Sequence, residues 1–165
     1  MSRLAFWRQR AATAAPGGRR LLVPFTDGEL DPVVLEAAIR IAKVWEATLV
    51  PAYLMVTPLD FELDAPLQKQ VARAMPLLEA VEHAGLRADL AVDARVETGR
   101  SATHALQRLW DAERFDRIVV PAPTTRGYGF TPKELQWILM HAPYETLILR
   151  PDPELDAHAL EVVVG

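Results

Sequence analysis

The sequence contains no cysteine, which excludes disulfides, thiolate metal sites and cysteine nucleophiles. It also lacks any apolar run near the ~18 residues that a membrane helix requires, so we expect no transmembrane segment. The first residues hold no apolar stretch of the kind found in signal peptides. We therefore expect a cytoplasmic protein.

Acidic residues are missing from the first 20 residues, which carry five arginines. Residues 21–165 hold 13 basic and 22 acidic side chains, a balance of −9. An acidic body repels a polyanion, so we expect no nucleic-acid partner. We assign residues 1–19 to a basic N-terminal arm. Leu4–Trp7, set between arginines, predicts contact with anionic lipid or a partner, although a frayed terminus is the simpler interpretation.

The usual fingerprints of phosphate-binding and catalytic loops are missing too. There is no GxxxxGK[ST], no GxGxxG after the first strand and no GxSxG. The four histidines stand far apart, without the spacing of metal ligands. We therefore predict no catalytic residue, no metal site and no enzymatic activity, a slow nucleotide hydrolase being the remaining enzymatic alternative.

Apolar runs and amphipathic segments alternate through residues 20–151, which we interpret as one domain. Asp31, Ser101 and Thr131 are predicted helix caps, and Thr131 begins a capping box. Five strands alternating with four helices predict an α/β fold, a doubly wound parallel sheet with helices on both faces. The predicted strands are Leu21–Phe25, Ala47–Met55, Leu86–Val96, Arg117–Pro121 and Thr146–Leu149.

Prolines and glycines predict local irregularities. Pro51 should disturb the second strand, since proline cannot donate to a ladder. Pro76 should kink the second helix, and Gly85 should end it. Residues 152–165 form a C-terminal tail whose apolar end, Val162–Val164, predicts an added strand at a sheet edge.

Two loops at the carboxyl ends of strands are the candidate ligand site, because open parallel sheets bind ligands there. Hydroxyls, a guanidinium and a helix start suit an anion, whereas an ordinary loop with a capping threonine is the alternative. We add Lys133 in the following helix and Leu54 on the second strand. The candidate loop residues are Thr26, Asp27, Gly28, Thr124, Thr125, Arg126, Gly127, Gly129 and Thr131.

The chain carries, in this order, the segments Leu22–Phe25, Leu35–Ala38, Val96–Gly99, Phe115–Val120, Leu139–Pro143 and Thr146–Pro151. Together they resemble the universal stress protein family over about residues 19–151. The resemblance implies a Rossmann-like sheet of order 3-2-1-4-5 and a homodimer, commonly formed through the last strand. One branch of the family binds ATP through Gly-x-x-Gly, nine residues, then Gly and Ser or Thr, with an aspartate after the first strand. Apart from the resemblance, the apolar end of the C-terminal tail would reinforce or replace the dimer contact by crossing to the partner.

This sequence departs from the ATP-binding pattern. Pro121 and Thr124 stand where the first two glycines would be, and Pro132 and Lys133 where the final Gly-Ser would be. Thr26 replaces the aspartate. Because proline has no N–H to offer a phosphate, we predict that ATP binds weakly or not at all. No cofactor is expected to be required, and ATP or AMP stays a possible ligand of a degenerate motif.

The functional prediction is a dimeric regulatory or interaction module with an unidentified protein partner. Its crevice would hold a small anion or phosphorylated compound against Arg126 and Lys133, with Asp27 facing it. The alternative is an ATP- or AMP-binding switch with a divergent phosphate loop.

Overall fold

The computed structural model describes residues 18–26, 30–63, 67–123 and 129–150. Within these ranges strands and helices alternate. The strands are β1 Arg19–Phe25, β2 Ala47–Val56, β3 Arg95–Gly99, β4 Arg117–Pro121 and β5 Glu145–Leu149. The helices are α1 Pro32–Trp45, α2 Gln68–Arg87, α3 Ala102–Ala112 and α4 Pro132–His141. Among the described residues, none of the helices combines the length and the apolar character that a membrane span requires.

The strands form one parallel sheet in the order β3-β2-β1-β4-β5, which confirms the predicted fold class and strand order. β1 lies at the centre and pairs with β2 from Arg19↔Ala47 onwards. Arg19, assigned to the N-terminal arm from the sequence, is therefore the first residue of the sheet. The predicted C-terminal tail lies outside the described residues, as do residues 1–17 of the arm.

Alternate side chains of the strands enter two cores, one on each face of the sheet. Leu21 and Val23 pack with residues of α1 and α2, whereas Leu22 packs with residues of α3 and α4. Both faces of the central strands are thus buried. This explains why β1 and β2 are nearly continuous apolar runs in the sequence rather than alternating ones.

The predicted helix caps are present. The Asp31 side chain accepts a hydrogen bond from the Val33 N–H, and the Ser101 hydroxyl accepts one from the His104 N–H. α2 runs through Pro76 as a single helix. The two caps could be predicted from the sequence because a cap requires only one side chain and the next turn of backbone.

Pro51 interrupts the pairing of β2 with β3, while β2 itself stays continuous. Pro51 pairs with Val23 of β1, and an isolated bridge joins Leu49 to Val92. The β2–β3 ladder resumes only at Ala52. Since alternate residues of a parallel strand bond the same neighbour, Pro51 holds the next position facing β3 and has no N–H to donate. The predicted irregularity is confirmed as a gap in one ladder.

The third strand, predicted from Leu86, begins instead at Arg95. α2 continues to Arg87, so Leu86 is helical and Gly85 does not end the helix. Gly85 is buried, and a Cβ added to it would lie 2.1 Å from Cγ2 of Val92. The glycine is needed for a close approach of the following segment to α2. The prediction was wrong because the sequence does not distinguish that role from a cap.

An ionic cluster of Arg20, Asp93, Arg95 and Glu113 lies at the amino-terminal edge of the sheet. The Arg95 side chain is buried; its Nε is 2.8 Å from Oε1 of Glu113, and its Nη1 bonds Asp93. Arg20 Nη2 is 3.1 Å from Asp93 Oδ2 and 2.9 Å from Glu113 Oε2. Burial alone would raise the pKa of Glu113, but hydrogen bonds and charge attraction from Arg95 and Arg20 lower it below its ordinary value.

We expect the stabilisation from Glu113 to disappear in acid. The pKa of Glu113 is lower in the folded protein than in the unfolded chain, whose value is about 4.3. Its contribution is therefore complete above that pH and is lost as the pH falls through the folded value. Glu113→Gln should be less stable than the unmodified protein at neutral pH, and the difference should shrink at about pH 3. Urea unfolding at both pH values measures it.

Glu36→Gln is the matched control for this experiment. Glu36 pairs with Arg40 at an exposed position, where ion pairs contribute little. Its effect on the free energy of unfolding should be small at both pH values. A difference for Glu113→Gln that is equally large at neutral and acid pH would contradict the expectation.

Candidate functional site

The candidate crevice lies at the carboxyl edge of the sheet, between the ends of β1 and β4. The strand order reverses there, because β2 and β3 lie on one side of β1 and β4 and β5 on the other. Open α/β sheets bind ligands at such a point. Thr26 follows β1 and is half-buried. Asp27 and Gly28, predicted to face the crevice with Thr26, lie outside the described residues.

Pro121 forms the β4 side of this edge. It is buried and pairs with Leu149 of β5, and the next residue, Ala122, donates its N–H to the Leu149 carbonyl at 2.7 Å. The position that would be the first glycine of the ATP-binding pattern is therefore the last residue of a strand, with a ring and no N–H. Of the loop that follows, Thr124, Thr125, Arg126 and Gly127 lie outside the described residues.

Gly129 brings the chain back to the end of β4. Its φ of +84° lies in the left-handed region, which favours glycine. A Cβ built on Gly129 would lie 3.4 Å from Cγ of Pro121 and 3.6 Å from the Ala122 oxygen. These are ordinary van der Waals distances, so the structural role of the predicted site residue Gly129 rests on its positive φ, with which the chain returns beside Pro121. The next residue, Phe130, is buried in the core between the sheet and α3 and α4.

Thr131 begins α4 with the predicted capping box, which is confirmed. Its hydroxyl accepts from the Glu134 N–H at 3.2 Å, and its own N–H donates to Glu134 Oε2 at 2.8 Å. Pro132, the first helical residue, has no N–H. Among the first three helical residues, only Lys133 is thus left to offer an N–H to a ligand.

Glu134 changes the electrostatics expected at this helix start. From the sequence, Arg126 and Lys133 precede the first acid, which suggests a positive site. In the structure the carboxylate of Glu134 folds back onto the N-terminus of α4 and occupies the position that the helix dipole would offer to an anion. Lys133 itself is exposed. The cationic character of the described part of the site therefore rests on Lys133.

Leu54 is a core side chain. It is 1% exposed and packs in the same core as Phe130, under α3 and α4. It lies on β2, adjacent to β1, as the sequence predicted, but in this structure its side chain is covered. Contact of Leu54 with a ligand stays a prediction.

Arg100 is a residue of this edge that the sequence analysis missed. It follows β3, and its Nη1 donates to the carbonyls of Pro58 at 2.6 Å and Phe61 at 2.8 Å. It thereby fixes the loop after β2, next to the loop after β1. An arginine directly after a strand would have been the only signal in the sequence.

The described residues contain no group of three or more histidine, cysteine, aspartate or glutamate side chains placed to hold a metal ion. His104 accepts the Arg100 N–H through Nδ1 at 3.0 Å, and His141 stacks on Trp137 with the ring centres 4.7 Å apart. Both histidines are thus engaged in local contacts at helix ends.

Sequence comparison gives no relative: no protein-family model matches the chain, and no curated protein does. Solved structures do match. A protein of the universal stress protein family from Burkholderia pseudomallei is 19% identical with a TM-score of 0.60, over 82% of this chain and 98% of its own. A universal stress protein in complex with cAMP is 20% identical with a TM-score of 0.57, over 82% and 98%. An Arabidopsis thaliana universal stress protein family protein with AMP bound is 13% identical with a TM-score of 0.54, over 82% and 94%.

Nearly the full length of each of these structures is matched by this chain. At such low identity the matches establish the architecture, and they agree with the sheet order.

Proposed function

Because the chain has the fold of the universal stress proteins, we propose that it is a non-enzymatic regulatory or interaction module. We propose further that it works as a homodimer in the cytoplasm and has a protein partner still to be identified. The observation that supports this most is the reversal of strand order in the 3-2-1-4-5 sheet, in a fold shared with structures solved with cAMP and with AMP. The acidic balance of residues 21–165 argues against nucleic acid as the partner.

The crevice would bind a small anion or a phosphorylated compound rather than ATP in the family's usual pose. Pro121 and Pro132 offer no N–H, and the Glu134 N–H is used by Thr131. What remains for the anion is Lys133 with its N–H and ammonium, together with the predicted contact from Arg126. Asp27, a carboxylate, would instead accept a hydrogen bond from a ribose hydroxyl. Charge-assisted hydrogen bonds from two cations suit one phosphate group better than a triphosphate cradled by backbone.

A nucleotide switch is the second candidate. It is favoured by two of the matched structures, which contain cAMP and AMP, both with one phosphate. The N–H and ammonium of Lys133 at the start of α4 also suit the binding of one phosphate group. The two candidates differ in whether the nucleoside adds affinity beyond its phosphate.

We expect the dissociation constant of ATP to lie at least tenfold above the low-micromolar range, because two or three backbone contacts of about 1–2 kcal/mol each are missing. Isothermal titration calorimetry with ATP, AMP, cAMP and inorganic phosphate measures this.

Arg126→Ala and Lys133→Ala should each weaken the binding of the anionic compounds while leaving stability nearly unchanged. Lys43→Ala, an exposed lysine on α1, should change nothing.

A low-micromolar constant for ATP would overturn the expectation of a degenerate phosphate loop. AMP or cAMP binding much more tightly than phosphate would favour the nucleotide switch. If Arg126→Ala lowers stability and no ligand binds, Arg126 serves the fold and the crevice is not a ligand site.

The edge of the sheet at β5 supports the proposed homodimer. Leu149 accepts the Ala122 N–H, so by alternation the backbone groups of Thr146 and Ile148 are directed to the open edge. Among the described residues no strand covers that edge. Exposed apolar side chains accompany it: Ile148 in β5 is 41% exposed, and Leu139 in α4 is 53% exposed. An uncovered apolar edge favours pairing with a second copy.

Ile148→Lys should weaken the dimer by roughly tenfold or more, because the interface would bury this residue twice and lysine opposes both pairing and burial. Light scattering and sedimentation at micromolar concentration measure the mass. Val44→Lys is the control, since Val44 is an apolar residue 86% exposed on α1 and does not belong to the β5 edge strand. Removing residues 152–165 tests whether the tail contributes. A mass near 18.4 kDa for the unmodified protein would exclude the dimer at that concentration.

A further inference from the structure

A groove of about 390 Å³ lies at the opposite edge of the molecule from the crevice, where α1 and α2 end. Its floor is formed by Ala42, Ala47 and Leu90, and its rim by Lys43, Glu46 and Asp89. The floor is apolar, so the groove can accept an apolar side chain. The rim side chains are exposed and charged.

The rim favours a cationic occupant. Glu46 and Asp89 follow the last turns of α1 and α2, and both have left-handed backbone, with φ of 53° and 56°. They therefore place their carboxylates at the negative ends of two helix dipoles. Lys43 is the only base among the groove residues, so two carboxylates and two helix ends outweigh one ammonium.

The polypeptide enters the sheet beside this groove. Arg19, the first residue of β1, pairs with Ala47 of the groove floor. Its Nη1 donates to the Trp45 carbonyl at 3.0 Å, and its guanidinium lies 5.9 Å from the centre of the Trp45 ring. A base directly after the N-terminal segment is thus already bonded to the end of α1.

The segment before Arg19 has the complementary chemistry. Residues 1–17 contain Arg3, Arg8 and Arg10, no acid, and the aromatic pair Phe6 and Trp7. An extended chain spans up to about 3.3–3.6 Å per residue, so residues 6–10 can reach a groove that begins one strand spacing, roughly 5 Å, from Arg19. Length, charge and apolar content all match the groove.

We propose that residues 1–17 dock in this groove of their own molecule. An aromatic side chain of the pair Phe6–Trp7 packs on the alanine and leucine floor, and the arginines pair with Glu46 and Asp89. The groove is thereby an intramolecular docking site for the basic segment, which competes with binding of that segment to an anionic surface.

The absence of cysteine makes a direct test available. Gln9→Cys in the full chain, labelled with a nitroxide, should broaden the backbone amide signals of Lys43, Glu46 and Asp89. Tethering alone also broadens nearby signals, so the test is charge reversal. Glu46→Lys/Asp89→Lys should reduce the docked population roughly fivefold or more, because two attractions become repulsions.

Glu36→Lys/Glu79→Lys is the matched control, since it reverses two exposed acids elsewhere on α1 and α2 and should leave the broadening unchanged. Mixing nitroxide-labelled protein with isotope-labelled, nitroxide-free protein should give no broadening if docking is intramolecular. Broadening that is insensitive to Glu46→Lys/Asp89→Lys overturns the proposal. Broadening only in the mixed sample also overturns the proposal, in favour of docking on a second copy. Tight binding to vesicles of anionic phospholipid that Glu46→Lys/Asp89→Lys leaves unchanged overturns it in favour of a membrane.

Discussion

Replacing Arg95 by leucine should lower the free energy of unfolding by about 3–5 kcal/mol. Arg95 is 6% exposed and bonds both Asp93 and Glu113. Without it, two carboxylates at the amino-terminal edge of the sheet share Arg20 as their remaining cation in the cluster. The loss comes from buried charge left without compensation, because burial itself costs several kcal/mol per ion. Urea unfolding at neutral pH measures it.

Arg40→Leu is the control for the same change of side chain. Arg40 pairs with Glu36 at side-chain exposures of 72% and 65%, and such pairs contribute about 0–1 kcal/mol. Arg95→Leu/Glu113→Leu should recover part of the stability lost in Arg95→Leu, because it removes one of the stranded carboxylates. A loss below about 1 kcal/mol for Arg95→Leu would mean that the ionic cluster is not needed for the fold.

Replacing Gly99 by alanine should cost about 1–3 kcal/mol, and more if α3 cannot shift. A Cβ at Gly99 would lie 2.3 Å from the backbone nitrogen of Ala105 and 2.7 Å from its Cα. These are main-chain atoms of α3, so no rotamer change can relieve the contact. The helix must move, although Ala105, Leu106 and Leu109 of its inner face are all buried in the core. Thermal and urea unfolding measure the loss.

Gly18→Ala and Gly85→Ala are the comparisons for this variant. A Cβ at Gly18 meets nothing within 4 Å, so its replacement should be nearly neutral. At Gly85 the obstacle is a side-chain methyl of Val92, so Val92→Ala should rescue Gly85→Ala. No equivalent change of side chain can rescue Gly99→Ala. Stability of Gly99→Ala equal to that of the unmodified protein would contradict the close packing of α3 on β3.

The fold was predictable where local signals and burial agree. β4 has the predicted bounds and α4 begins at the predicted residue, because an apolar run buried on both faces and a capping box are both short-range signals. The beginning of β3 was not predictable in the same way. Leu90 and Val92 alternate like a strand, yet they pack on the core with a single bridge to β2, because Pro51 leaves a gap in the ladder.

The candidate site was predictable in part. The sequence of residues 131–134 was enough to predict the capping box at Thr131. It did not show that the Glu134 carboxylate occupies the helix N-terminus at which we expected an anion to bind. Arg100 and the ionic cluster around Arg95 depend on contacts between residues 18, 42 and 73 positions apart in sequence, and no local pattern announces such contacts. Arg95 in particular resembles a solvent-facing strand residue, whereas its partners bury it.

Gly129 lies beside Pro121, so the segment between these two residues begins and ends at nearly the same place. Its two ends are held against each other by the end of β4 and the start of α4, so the intervening residues close a ring whose entropic cost rises only slowly with length, by about 0.6 kcal/mol for each doubling. The number of residues between these two ends can therefore change at little cost in closure entropy. The length of this segment can thus be engineered while β4 and α4 keep their positions.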